Sequence, residues 1–292
     1  MIEAIVKRKK FLLSVEVFPP KREMSVESVT GILDGLEALS PDFVSVTYGA
    51  AASRADNSTL LLARSIRSRG LTALPHLTAL YQTREDVEKL LKDMQSCGLD
   101  DLFVLRGDRR PGVAPVGDFC CANELAAFVR ERSDCYLVGA CYPEGHFECE
   151  SRERDLENLK RKVDDGVRHL ITQLFFDNED FYRFTDRVGR MMPDIPVQAG
   201  IMPVVRYGQV ERIISLSGAK LPAKFSRLLA RFGDNPEAFA EAGFAYAVDQ
   251  IADLITAGAR GVHLYIMNNL PLAIRLFEAI GPLVKAAAGE NA

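Results

Sequence analysis

Eight short β-rich runs recur along this chain, and segments of helical periodicity fill the intervals. The runs are "FLLSVEVF" (11–18), "FVSVTYG" (43–49), "LTALPHLT" (71–78), "DLFVLRG" (101–107), "YLVGACY" (136–142), "HLITQLFF" (169–176), "VQAGIMPV" (197–204) and "GVHLYIM" (261–267). Most follow one another at about thirty residues. In "REDVEKLLKDMQSCG" the residues Val87, Leu90, Leu91 and Met94 share one helical face, and Gly98 ends the segment as a helix stop. "SRERDLENLKRKVDDG" repeats the pattern with Leu156, Leu159 and Val163 before Gly166. Strands that alternate with helices call for a parallel sheet with right-handed crossovers. Eight such units in 292 residues point to an α/β fold of the closed (β/α)8 TIM barrel type, with an open doubly wound sheet as the alternative. The interval between runs seven and eight is longer, about sixty residues, and holds two helical segments, 206–217 and 236–257. "AKLPAKFSRLLARFGDNPEA" lies between and within them and reads as an inserted excursion. Residues 1–292 are expected to form a single domain.

Composition narrows the function classes. Hydrophobic residues make up 48% of the chain, enough for a large core. A net charge of -4 lacks the basic excess of a nucleic-acid binder. No apolar run is long enough to span a bilayer. "MIEAIVKRKK" carries its charges after its few apolar residues, the reverse of a secretory signal, which reads as a cytoplasmic protein without a membrane partner. The six cysteines form no Cys-x-x-Cys, and no histidine pair has zinc-ligand spacing, so they read as free thiols and no metal is expected. No G-x-G-x-x-G follows a strand, and no phosphate-binding G-x-x-x-x-G-K-[ST] or serine nucleophile elbow is present.

A barrel places its site at the C-terminal ends of the strands, and there the unusual residues fall. Run one ends with Glu16 just before Pro19 and Pro20, and run two with Thr47, Tyr48 and Gly49. Run three carries His76, and run four ends in "LRGD", Arg106 to Asp108. Run five ends in "CYPEGH" with Tyr142, Glu144 and His146; run six holds Gln173; run seven ends at Pro203; run eight leads into Asn268 and Asn269. A carboxylate on the inner rim is partly desolvated, which favours its protonated form and suits a general acid near neutral pH. The competing reading of Glu16 is an ion pair with Arg106 or a neighbour. His76 alone is more often a satisfied core histidine than a ligand, and "LRGD" alone could be a tight turn with a surface ion pair. Asp155, Asn158 and Lys162, at i, i+3 and i+7, share one helix face and together could grip ribose and phosphate, or simply be solvated.

The tags "SVEVFPPK", "FVSVTYGA", "LPHLTA", "LRGD", "YPEGH", "NLKRKVDDG" and "ITQLFFD" occur in this order. Together they strongly resemble the methylenetetrahydrofolate reductase family over roughly residues 11–280, in its short bacterial, catalytic-barrel form. The resemblance implies a barrel that binds FAD without a Rossmann fold. It implies ping-pong reduction of 5,10-methylenetetrahydrofolate to 5-methyltetrahydrofolate, with hydride passing from NADH or NADPH through flavin N5. By similarity Glu16 is the general acid that promotes opening of the folate five-membered ring, and Asp108 lies near the flavin and pterin, where its charge disfavours the anionic reduced flavin. Thr47, His76, Arg106, Gly107, Ala122, Tyr142 and His146 match flavin-binding positions. Asp155, Asn158, Arg161 and Lys162 match positions that hold ribose, pyrophosphate and adenosine. Gln173 and Gln209 match substrate-side glutamines. Homo-oligomerisation is implied as well.

Three positions depart from the family pattern. Ile213 stands where some members stack an aromatic ring on substrate. Cys121 precedes Ala122 where many read Tyr-Ala, which removes a flavin contact. Asn269 replaces a common arginine, with consequences for the nicotinamide donor or the folate tail. Two alternatives therefore stay open: electrons from a partner protein rather than free NAD(P)H, and a non-catalytic flavin- or folate-binding subunit.

Overall fold

The computed structural model describes residues 1–20, 29–48 and 58–289; Lys21, Gly49 and Ala50 of the motif tags lie outside them. Its strands are β1 (Leu12–Val17), β2 (Val44–Val46), β3 (Ala73–Thr78), β4 (Asp101–Leu105), β5 (Tyr136–Cys141), β6 (Val167–Thr172), β7 (Val197–Ile201) and β8 (Gly261–Tyr265). They pair in sequence order and close, β8 lying parallel to β1 with Leu12 opposite Gly261 and Glu16 opposite Tyr265. Closure rules out the open sheet. The helices are α1 (Ile2–Arg8), α2 (Thr30–Leu39), α3 (Ser58–Ser68), α4 (Arg84–Ser96), α5 (Ala122–Arg130), α6 (Arg152–Asp164), α7 (Asn178–Met191), α8 (Gly208–Ser217), α9 (Ala223–Phe232), α10 (Pro236–Thr256) and α11 (Leu270–Ala288).

Local chemistry sets the element ends. Thr83 and Asp86 cap α4 reciprocally, each side chain meeting the other's backbone N–H, and Gly98 takes the left-handed conformation (φ 65°) just beyond its end. Ser151 caps α6 by accepting from the Arg154 N–H, and Gly166 follows its end at φ 122°. Alternation along β1 sends Leu13, Val15 and Val17 outward against the helices. A second set, Phe43, Leu74, Phe103, Tyr136, Val138 and Ile171, fills the barrel interior, and Ile2 of α1 joins it. A third cluster, with Leu174, Phe176, Val204, Ile213, Phe225 and Phe239, ties the excursion to the loops after β6 and β7. The excursion contains α9, a helix between the two segments that periodicity picks out.

Runs six and seven overshoot their strands. β6 stops at Thr172 and β7 at Ile201. The apolar residues beyond them continue into loops because they pack rather than pair: Phe175 stacks on Phe181 and Phe176 on Phe225.

Candidate active site

A cavity of about 870 Å³ opens among residues at the C-terminal ends of the strands, within the size range of cofactor and substrate sites. Glu16, Thr47, His76, Arg106, Gly107, Asp108, Ala122, Tyr142, His146, Asp155, Asn158, Arg161, Lys162 and Gln173 all line it. Gln209 does not: it sits in the first turn of α8, where its Oε1 accepts the Arg206 N–H. Ile213 is buried in the cluster beneath the excursion and is also absent from the lining. Asn269 caps α11 by accepting the Leu272 N–H, a task the position carries out whatever became of the arginine.

Glu16 is 7% exposed. Its Oε2 lies 3.5 Å from the Ser45 hydroxyl, 3.6 Å from His76 Nε2 and 3.9 Å from His263 Nε2. Arg106 is not its partner; that guanidinium pairs with Glu148, which raises the Arg106 pKa and lowers that of Glu148. Burial pushes His76 down to about 4, with Glu16 opposing, so the ring is neutral at neutral pH. Among the described residues its Nε2 has no hydrogen-bond partner, while its ring meets Phe103 edge-on at 4.5 Å. Below Glu16 a polar column crosses the barrel. His263 Nε2 lies 3.2 Å from Ser45 Oγ and its Nδ1 2.7 Å from Ser14 Oγ, which also accepts from Gln198 Nε2 at 3.1 Å.

The wall from β4 to α6 carries charges of both signs, Arg106, Arg161 and Lys162 beside Asp108, Glu124, Glu148 and Asp155. Lys162, near the end of α6, donates to the Ala140 carbonyl at 2.7 Å, and burial pushes its amine pKa down. Asp155, one turn into α6, accepts the His146 N–H at 3.1 Å, and burial raises its carboxyl. Asn158 points its amide toward Cys149 Sγ at 3.9 Å. Burial and then the Arg106 charge lower His146, whose ring meets Tyr142 edge-on at 4.6 Å; burial raises the Tyr142 phenol. The turn after β4 needs glycine: Gly107 has φ 84°, and a Cβ there would come 2.9 Å from Thr78 Cβ. That turn leaves Asp108 exposed at the lip. Glu144 stays outside the lining and accepts the Lys220 N–H at 3.1 Å, tying the β5 loop to the excursion.

Tyr265, outside the motif tags, lines the cavity beside these groups and donates to the Thr172 carbonyl at 2.7 Å. Its signal was parity: in "GVHLY" it shares a strand face with His263. Ser14 holds the same relation to Glu16 in β1.

A closed barrel with a buried acid under a large polar cavity at its C-terminal mouth has the layout of a barrel enzyme. The sequence pattern of the family "Methylenetetrahydrofolate reductase" matches residues 1–281. The 5,10-methylenetetrahydrofolate reductase of Escherichia coli is 32% identical over 270 residues, covering 92% of this chain and 90% of its own. Methylenetetrahydrofolate reductase (NADH) 1 of Arabidopsis thaliana is 30% identical over 295 residues, 96% of this chain and 50% of its own length. A solved structure from Clostridium thermocellum, of a protein described as binding two copies of 5-methyl-5,6,7,8-tetrahydrofolic acid, shares the fold with a TM-score of 0.71 at 12% identity, covering 99% of both chains. The chain belongs to the methylenetetrahydrofolate reductase family and is an oxidoreductase.

Proposed function

We propose that this chain reduces 5,10-methylenetetrahydrofolate to 5-methyltetrahydrofolate in ping-pong order, with FAD in the cavity and NADH or NADPH as donor. The observation that carries the reading is Glu16, buried at the end of β1 and facing a cavity lined by thirteen further residues that the family resemblance singles out. Two features suit the wall to FAD. Thr47 and Arg106 line the cavity and offer hydroxyl and guanidinium donors to a polar ligand. The partly buried Lys162 amine and the Asp155 carboxyl offer charge and hydrogen bonds to a phosphate and a ribose. Thr47, His76, Arg106, Gly107, Ala122, Tyr142 and His146 would hold the flavin portion; Asp155, Asn158, Arg161 and Lys162 would hold the rest. When bound, FAD supplies at N5 the centre through which hydride passes from nicotinamide to folate.

Glu16 delivers a proton to the folate ring nitrogen that leaves when the five-membered ring opens. Ser45 and the neutral His76 flank its carboxyl and bring no competing cation to it. Gln173 binds the pterin, and Asp108 at the lip sets a negative charge against the reduced ring. Gln209 enters on resemblance alone, at the outer part of the folate beyond the cavity lining. The test is an anaerobic absorption spectrum of the purified protein, with NADH added first and methylenetetrahydrofolate second. Bleaching of a flavin band and its recovery on folate is the expected result. A flavin that NADH leaves untouched, but that folate reoxidises after dithionite, points to a partner protein as donor. Flavin-free protein that cannot be loaded with FAD would overturn the cofactor assignment.

A further inference from the structure

Asn268 lies just past β8 and outside the cavity lining, yet it holds the strand that carries Glu16. Ladder pairing between β1 and β8 ends at Glu16 opposite Tyr265. Two residues on, the Phe18 N–H donates to Asn268 Oδ1 at 2.9 Å, and Asn268 Nδ2 donates to the Phe18 carbonyl at 3.0 Å. A side-chain amide thus continues the ladder beyond the last backbone rung. Pro19 and Pro20 follow at once and have no N–H to offer, so Phe18 supplies the last N–H before the two prolines. On its other edge the Thr47 N–H bonds the Val17 carbonyl at 3.1 Å.

The turn that presents Asn268 is unusual. Met267 and Asn268 both have left-handed backbones, φ 53° and 55°, closed by the Asn269 N–H on the Ile266 carbonyl at 2.9 Å. Among the described residues only Ser40 joins them as a non-glycine with positive φ. Met267 is 44% exposed, so its own packing does not hold it there. Asparagine tolerates this conformation better than most residues, and its amide supplies one donor and one acceptor at the required length. Aspartate would lose the donor, and glycine would keep the backbone but lose both bonds.

We propose that Asn268 is a positioning residue for Glu16: by clamping Phe18 it fixes the path on which β1 leaves the barrel, and with it the aim of the acid. This rests on the reading of Glu16 as the folate-side acid. The test uses FAD-loaded Asn268→Gly, with Asn268→Asp as a second variant that keeps the acceptor for Phe18. Asn268→Gly should exchange the Phe18 amide hydrogen faster and lower the rate of the folate half-reaction about tenfold to a hundredfold, the size expected for a reacting group misplaced by about 1 Å. Bleaching by NADH should stay within about twofold, since misplacing the folate acid leaves reduction of the flavin alone. Asn268→Asp should lose less of the folate rate. In a Glu16→Gln background Asn268→Gly should add little further loss, because the group it aims is gone. An unchanged folate rate in Asn268→Gly overturns the inference, as does an equal fall of both half-reactions or a full further loss in the Glu16→Gln background. A wild-type chain that takes up FAD but never reduces folate would instead sink the functional reading, and this inference with it.

Discussion

Glu16 is a strand residue 7% exposed and, among the described residues, has no cationic side chain hydrogen-bonded to it, an arrangement that stability alone does not favour. Glu16→Gln keeps shape and neighbours but removes the ionisable carboxyl. Folate turnover should fall about a hundredfold to ten-thousandfold, the range of general acid catalysis, while the donor still bleaches the flavin. Stopped-flow absorbance separates the two, and normal folate turnover would remove Glu16 from the mechanism. Lys162 poses a different case. Its amine is partly buried and hydrogen-bonded to a backbone carbonyl, with its pKa lowered by desolvation. Lys162→Met keeps the side-chain length and loses the charge, so flavin should be released at least about tenfold more readily, as for loss of one charge-assisted hydrogen bond. Fluorescence of the freed flavin measures this; unchanged affinity would show that the amine serves only the Ala140 carbonyl. At this scale the sequence was most legible where a polar residue interrupts an apolar run at a strand end, as with Glu16 and His76. It was least legible where the polar residue lies deeper along the same face. Ser14, Ser45 and His263 belong to the site only because eight strands close, and no single run reveals that their side chains meet.

Among the elements, α10 shows how close approach decides a residue. Gly243 lies mid-helix, where alanine would ordinarily gain about 1 kcal/mol in helix propensity. A Cβ there would come 1.9 Å from the Val204 carbonyl oxygen, in the loop after β7. The clash outweighs the propensity, so Gly243→Ala should destabilise the protein by about 1–3 kcal/mol, the usual result of overpacking. A thermal melt of the variant tests it, and a raised Tm would mean that α10 slides freely over the loop. The helix ends were legible because capping chemistry is local, as Thr83 with Asp86 and Ser151 with Arg154 show. The strand ends after β6 and β7 were not. An apolar stretch such as "LFF" reads the same whether it pairs in a sheet or packs under an inserted helix, and α9 and α10 supply the packing partner only in three dimensions.

For the whole molecule, the buried histidines link folding to pH. Burial lowers His76 to about 4 and His169 to about 3, against 6.5 for the unfolded side chain. Between pH 6.5 and about 4 the unfolded chain takes up protons at both sites and the folded one does not, so stability falls as pH falls through that window. Each histidine contributes at most about 1.4 kcal/mol per pH unit. Asp101, Glu144 and Asp155 act in the opposite sense. Their carboxyls are raised by burial, so the folded state binds protons more readily than the unfolded one, and they offset part of the loss towards the acid end. His169 separates these contributions. It is fully buried, lies outside the cavity lining and has the Gln198 side chain as its polar neighbour. His169→Leu removes a group that must stay neutral. At pH 7.5 its Tm should lie within a few degrees of the wild type, because neither state is protonated there and the lost ring packing is set against the removed polar atoms. At pH 5 it should exceed the wild type, and the slope of Tm against pH between 7 and 5 should be shallower. FAD-saturated samples of both proteins keep binding linkage equal in the comparison. Parallel slopes would show that His169 binds its proton alike in both states and would assign the acid sensitivity to His76 and the cavity wall.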